Sequence, residues 1–209
     1  MNDAPAASTA STRDRIVAAA RCVFAERGYD GASIREITTR ASANLGAVTY
    51  HFGSKQALYE AVLEDALRPL FERLTSSPSP SGESALDAVE RSARAIFEHL
   101  RSNPDLQFLV LQQMATQDVM PAPAARVFGG IFGGLAARIA EGQRRGEVRS
   151  GDPLLMAVSV ASQPAYFALV ARFMLDRLSV EGGAPSWDEI AEHGVGFIRA
   201  GLTASREDG

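Results

Sequence analysis

Ser33-Ile34-Arg35-Glu36-Ile37-Thr38-Thr39-Arg40-Ala41-Ser42-Ala43-Asn44-Leu45-Gly46-Ala47-Val48-Thr49-Tyr50-His51-Phe52-Gly53-Ser54-Lys55 is the stretch that decides the fold. It reads as two short helices joined by a tight turn, a helix-turn-helix. The first opens with a capping box: Ser33 accepts from the Glu36 amide, and the Glu36 carboxylate is expected to reach back to the Ser33 amide. Ile34, Ile37 and Ala41 recur at helical spacing and form the inward face, leaving Arg35 and Arg40 to solvent or phosphate. Asn44, a favoured N-cap, is expected to start the second helix. Val48 and Phe52, four apart, point inward, so Leu45, Gly46, Ala47, Thr49, Tyr50 and His51 are expected to face outward. In such a unit the start of the second helix enters the major groove while the first crosses the backbone. Leu45 and Ala47 suit thymine methyls, and Gly46 permits close approach. Ser33, Arg35, Asn44, Thr49, Tyr50, His51 and Lys55 supply polar and basic groups for phosphate.

Isolated aromatics such as Tyr50, His51 and Phe52 are more often packing than contacts, and a lone histidine is mostly neutral at pH 7. Their place after a capped turn is what favours contact. From Arg13 to Leu63 the chain resembles the N-terminal domain of TetR-family transcriptional regulators. The resemblance rests on Phe24-Ala25-Glu26-Arg27-Gly28-Tyr29, Ser33 to Ile37, Gly46, Tyr50-His51-Phe52, Ser54-Lys55 and Leu58-Tyr59. Two positions depart from the family's commonest pattern: Leu45 stands where a lysine or other polar residue is frequent, and Thr49 where a tyrosine often contacts phosphate. The resemblance implies an all-α homodimer. Its N-terminal units would bind successive major grooves of a near-palindromic operator, its last two long helices, about 153–178 and 187–204, would form the dimer contact, and an unidentified small-molecule effector would release it. The long helix 55–74 would carry the change between the two states.

With 209 residues, 46% hydrophobic and 22% charged, the chain has the composition of a soluble globular protein. The expected organisation is a disordered arm over 1–11, a helix-turn-helix domain over 12–60, a helical effector-binding and dimerisation domain over 61–204, and a disordered tail over 205–209. Net charge is −4, yet between Ser11 and Glu60 seven Arg and Lys stand against five Asp and Glu, whereas from Ala61 onward fourteen stand against nineteen. Affinity for phosphate must therefore come from a local basic surface, doubled by dimerisation. The single Cys22 excludes an internal disulfide and fits a reducing, cytoplasmic setting. Residues 153–170 are uncharged and 18 long, the lower limit for a membrane span; Gln163, Pro164 and two serines favour a buried or interface helix.

Helices are expected over 13–27, 55–74 with a kink at Pro69, 84–101, 105–117, 124–145, 153–178 and 187–204. Thr75 to Gly82 reads as a linker, Met120 to Pro123 as a breaker, and Glu181 to Pro185 as a further connection. No strand pattern appears. The Gly129-Gly130 and Gly133-Gly134 pairs lie in a helical pattern, where close helix contact explains them better than a phosphate loop. There is no metal-ligand spacing, P-loop or nucleophile elbow, so no cofactor, metal or enzymatic activity is expected. An effector cavity lined by Phe97, Phe108, Met114, Phe128, Phe132 and Phe167, with Gln112, Gln113, Gln163 and Tyr166 as orienting polar groups, is expected in the second domain, although each aromatic taken singly is more often core. Pro164 frees the Val160 carbonyl there. The rival reading is an all-helical small-molecule-binding protein or enzyme in which the helix-turn-helix is only structural; an activator is a closer alternative to a repressor.

Overall fold

The computed structural model describes residues 11–76, 82–116, 122–173 and 184–204. The expected arm 1–10, the middle of the Thr75–Gly82 linker, Met120-Pro121, the extension of the eighth helix to 178, the segment 181–183 and the tail 205–209 lie outside them. Among the described residues the protein is all-α: α1 Thr12–Gly31, α2 Ile34–Arg40, α3 Gly46–Phe52, α4 Lys55–Ser76, α5 Ala85–Ser102, α6 Leu106–Thr116, α7 Ala122–Arg144, α8 Pro153–Phe173 and α9 Trp187–Leu202. The only extended pairing among them is an isolated bridge between Val148 and Thr203.

The chain divides into two compact units, one of residues 1–65 with 109–123 and the other of 66–108 with 124–209. The expected boundary near 60 assigned all of 61–204 to the second domain, whereas the contacts group 109–123 with the N-terminal helices. The physical reason is Tyr59. Its ring is buried, and its hydroxyl donates to the Leu109 carbonyl at 2.6 Å and to Gln112 Oε1 at 3.3 Å.

In the first unit α1, α2 and α3 pack pairwise around Ile16, Ala20, Val23, Phe24, Ile37, Val48, Leu58 and Tyr59. Ser11, assigned by the sequence to the disordered arm, is instead the N-cap of α1 in a complete capping box. It accepts from the Asp14 amide at 3.2 Å, and Asp14 accepts from the Ser11 amide at 3.3 Å. Gly28 breaks α1 with φ 74°, a left-handed conformation that costs glycine little. Phe24, Tyr29 and Tyr59 form an edge-to-face cluster, with Tyr59 centred 4.8 Å from Phe24 and 5.2 Å from Tyr29.

In the second unit α5, α8 and α9 pack against one another. Ser84 caps α5, Asp152 accepts from the Leu154 and Leu155 amides at the start of α8, and Ser186 with Glu189 forms a capping box on α9. The glycines of α7 divide. A Cβ on Gly130 would stand 2.2 Å from the Phe71 ring, so Gly130 is a close contact, whereas Gly129 and Gly133 face open space. Gly194 of α9 likewise sits against Phe97, 2.5 Å from where its Cβ would be. Arg94–Glu192, Arg101–Asp188 and Arg199 with Asp87 and Glu90 tie α5 to α9 along the surface.

Candidate nucleic-acid interface

α2 starts where the sequence places it: Ser33 Oγ accepts from the Glu36 amide at 3.1 Å. The reciprocal half of the expected capping box is not made. The Glu36 carboxylate lies instead 3.7 Å from Arg27 Nε, and an ion pair replaces the bond to the Ser33 amide. Thr38, which the hydrophobic pattern passed over, is buried, its hydroxyl satisfied by the carbonyls of Ile34 and Arg35. Ile37 and Ala41 are buried as expected, and Ile34 is half-buried.

The turn is a Schellman-type closure on a non-glycine residue. Ser42 adopts φ 50°, and Ala43 N–H reaches the Thr38 carbonyl at 2.9 Å while Ser42 N–H reaches Thr39 at 3.2 Å. α3 departs from the expected start and from the expected outward face. Asn44 is not its N-cap: the helix begins at Gly46, Leu45 holds the cap position with no side-chain bond, and the Asn44 carbonyl accepts from Ala47 N–H in a tighter lead-in turn. Ala47 does not face outward. With that start it sits beside Val48 on the inward face and is buried, which removes it from the groups available to thymine methyls.

The remaining predicted contact residues share an exposed surface. Ser33, Arg35, Asn44, Gly46, Thr49 and His51 are exposed, Leu45 is 60% exposed and Tyr50 84%. A large aromatic left so bare on a seven-residue helix, and a leucine at its cap, contribute little to the protomer's core. Lys55 is half-buried, its ammonium 4.7 Å from the Tyr29 ring centroid, and Arg13 lies 5.4 Å from the Phe52 ring centroid.

Two carboxylates of this unit, Glu26 and Glu36, are paired with arginines. Arg40 grips Glu26 with two bonds of 2.7 and 2.9 Å, which holds the Glu26 carboxyl below its ordinary range. Asp14 is held by Ser11, and Glu36 by Arg27. The exposed Arg35 guanidinium makes no ion pair among the described residues, and it borders a shallow groove with Ser33 and Thr39. An arginine in that position is a donor for phosphate oxygens.

The predicted effector residues differ in burial and in the unit to which they belong. Phe128 and Phe132 stack at 6.1 Å and are half-buried. Phe167 lies 6.3 Å from Phe97, but Phe97 is itself buried, wedged against Gly194 and Trp187 as core. Gln112 falls in the first unit, engaged with Tyr59, whereas the aromatics belong to the second. Gln163 is half-buried, yet Tyr166, expected to share its face, is 65% exposed. Phe108 is half-buried, Met114 is exposed, and the Gln113 side chain lies outside the described residues. Beside the Pro164 bend the polar contact is Gln107 donating to the Ala165 carbonyl.

This geometry, a capped helix, a Schellman turn and a short exposed second helix in an all-helical chain, defines a helix-turn-helix protein. Residues 16–62 match the family model described as bacterial regulatory proteins, tetR family. An HTH-type transcriptional repressor of Mycobacterium tuberculosis is 44% identical over 86 residues, 40% of this chain and 45% of that protein. The A-factor receptor protein of Streptomyces griseus is 27% identical over 180 residues, 84% of this chain and 60% of the receptor. The first of these matches spans about half the length of the curated relative. Among solved structures, a bacterial regulatory protein in the tetR family from Rhodococcus RHA1 superposes with TM-score 0.77 at 19% identity, covering 94% of this chain and all of that one. The hemolysin II transcriptional regulator HlyIIR superposes with TM-score 0.64 at 23% identity, covering 93% and 98%. The structural likenesses concern the fold, and the sequence matches concern chiefly the DNA-binding unit. Residues 16–62 thus resemble the DNA-binding unit of the tetR family.

Proposed function

We propose that the protein is a sequence-specific DNA-binding transcriptional regulator, a ligand-released repressor that acts as a homodimer on a near-palindromic operator in the bacterial cytoplasm. The observation that carries the reading is the exposed face at the start of α3, with Leu45, Gly46, Thr49 and Tyr50 bare, and Arg35, which makes no ion pair among the described residues. Gly46 lets the helix start approach the groove, Leu45 offers an apolar contact to thymine methyls, and Arg35, Thr49, Tyr50, His51 and Lys55 hold the backbone.

A second copy of the chain is the partner that best fits α8 and α9. Residues 153–171 are long and apolar enough to cross a membrane by length and composition, yet only 22% of that stretch is buried within the protomer. Leu154, Leu155, Val158 and Tyr166 on α8, and Phe197 on α9, are exposed apolar or aromatic groups. Apolar surface left bare on a protomer marks an interface, and family resemblance supports dimerisation through these two helices. Two identical α3 helices on one dimer then read two half-sites.

Effector binding by the second unit follows the same family reading. Phe128, Phe132, Gln163 and Phe167 remain its candidate contacts, and binding would favour a spacing of recognition helices that no longer matches the grooves. Gel retardation with DNA flanking the protein's own coding region tests the proposal. Specific, salt-sensitive retardation supports it, and Lys55→Ala should weaken operator and random DNA alike while lowering the slope of log affinity against log salt by about one. Absence of any specific shift, with dimers present in sedimentation, would leave the rival ligand-binding reading.

A further inference from the structure

Within the second unit, α7 and the facing ends of α4 and α5 enclose a cleft of about 470 Å³, the size of a small-molecule site. Leu74, Ala85, Ala88 and Ala137 give it an apolar wall. Arg138 gives it a charge. The Arg138 side chain is half-buried and its guanidinium donates to two main-chain carbonyls, Gly134 at 3.1 Å and Leu74 at 2.7 Å.

Two carboxylates, Glu83 and Glu141, also line the cleft, and each is bonded to other arginines. Both oxygens of Glu83 accept from Arg91, at 2.9 and 2.8 Å, and Glu141 accepts from Arg144 and Arg145. Among the described residues Arg138 therefore has no ion-pair partner. Burial pushes its affinity for the proton down, the neighbouring Arg91 charge adds to the effect, and the Glu83 carboxylate offsets part of it. A half-buried cation bonded only to neutral carbonyls is costly unless an anion joins it. A guanidinium has five N–H donors, and only two of its bonds are used here, so donors remain for a carboxylate.

We propose that this cleft binds an amphiphilic monocarboxylate, its carboxylate on Arg138 and its hydrocarbon along Leu74, Ala85, Ala88 and Ala137. The site is separate from the aromatic residues named above as effector contacts. Its regulatory consequence rests on the repressor reading; the binding itself does not.

Calorimetric titration of the full-length protein, without DNA, tests it with sodium octanoate, 1-octanol and octylammonium chloride. Octanoate should bind at least tenfold more tightly than octanol, and octylammonium should not bind. Arg138→Gln should weaken octanoate roughly tenfold or more, the loss of a charge-assisted contact, and leave octanol unchanged. Should Arg138→Gln fail to fold once the Leu74 carbonyl loses its donor, Ala137→Trp decides. Ala137 is exposed at the rim, so the indole should block octanoate while circular dichroism stays native. Equal affinities for octanoate and octanol would overturn the proposal, as would octanoate binding that survives Ala137→Trp. Because the readout is heat of binding without DNA, its failure is distinct from failure of the DNA-binding reading, which retardation reports.

Discussion

Replacing Tyr59 by phenylalanine isolates one hydrogen bond that joins residues fifty positions apart. The hydroxyl donates to the Leu109 carbonyl at 2.6 Å, with Gln112 Oε1 at 3.3 Å as a second acceptor. Both Tyr59 and Leu109 are buried. Burial holds the phenol well above its ordinary titration range, so it stays a proton donor at every physiological pH. The substitution keeps the ring, with its edge-to-face contacts to Phe24 and Tyr29. The Leu109 carbonyl sits within α6 and retains its place in the helix, so the loss is one net hydrogen bond, about 1 kcal/mol. That corresponds to a fall in Tm of about 2–4 °C for a chain of this size. Tyr59→Ala also removes the buried ring, and about 3–5 kcal/mol should be lost. Thermal melting followed by circular dichroism at 222 nm measures both. Amide exchange at 109–116 should speed up in Tyr59→Phe more than exchange in α9. A Tyr59→Phe variant as unstable as Tyr59→Ala, or with unchanged exchange at 109–116, would refute this account of why that segment groups with the N-terminal helices.

Gly194→Ala should destabilise by about 1–3 kcal/mol, because its Cβ would stand 2.5 Å from the buried Phe97 ring, whereas Gly129→Ala, which meets nothing, should stabilise or be neutral in the same urea titration. Arg199 holds the Asp87 carboxyl below its ordinary range, with Ser84 assisting. A depressed carboxyl stabilises the fold above its unfolded pKa and loses that contribution as pH falls through the folded value. The stability gap between wild type and Arg199→Ala should therefore narrow as pH falls from 6 to 3, and a gap that widens would contradict the sign. Leu155 is 68% exposed on α8, so Leu155→Arg should shift sedimentation from dimer toward monomer with little change in helicity; a full dimer would move the interface elsewhere.

Much of the fold was legible because its signals are local. Ser33 with Glu36 announced the start of α2, Gly28 ended the first straight helical segment, and periodic leucines marked α4. Structure and expectation part where local rules compete. Asn44 is an N-cap by type, but the left-handed Ser42 sets the chain direction, and the helix starts two residues later, which turns Ala47 inward. Glu36 satisfied the capping-box pattern, yet Arg27, brought close only by the fold, claimed its carboxylate. The effector residues were the least legible. Spacing along a helix identifies a shared face without saying which face is covered, so Tyr166 was expected to line a cavity and is exposed, while Phe97 is core. Arg138 carried no sequence signal, since its role depends on a carbonyl sixty-four residues away.

Selection of binding sites from randomised double-stranded DNA, run in parallel on the wild type and on Leu45→Lys, tests most directly the claim that α3 reads base edges. The wild type should enrich a two-fold-symmetric site with half-sites spaced to suit successive major grooves. Leu45→Lys, which replaces a methyl contact by a donor suited to guanine, should shift the preferred base at one position of each half-site and leave the symmetry and spacing unchanged. Enrichment of the same sequence by both proteins, or no enrichment by the wild type, would contradict the placement of α3 in the groove.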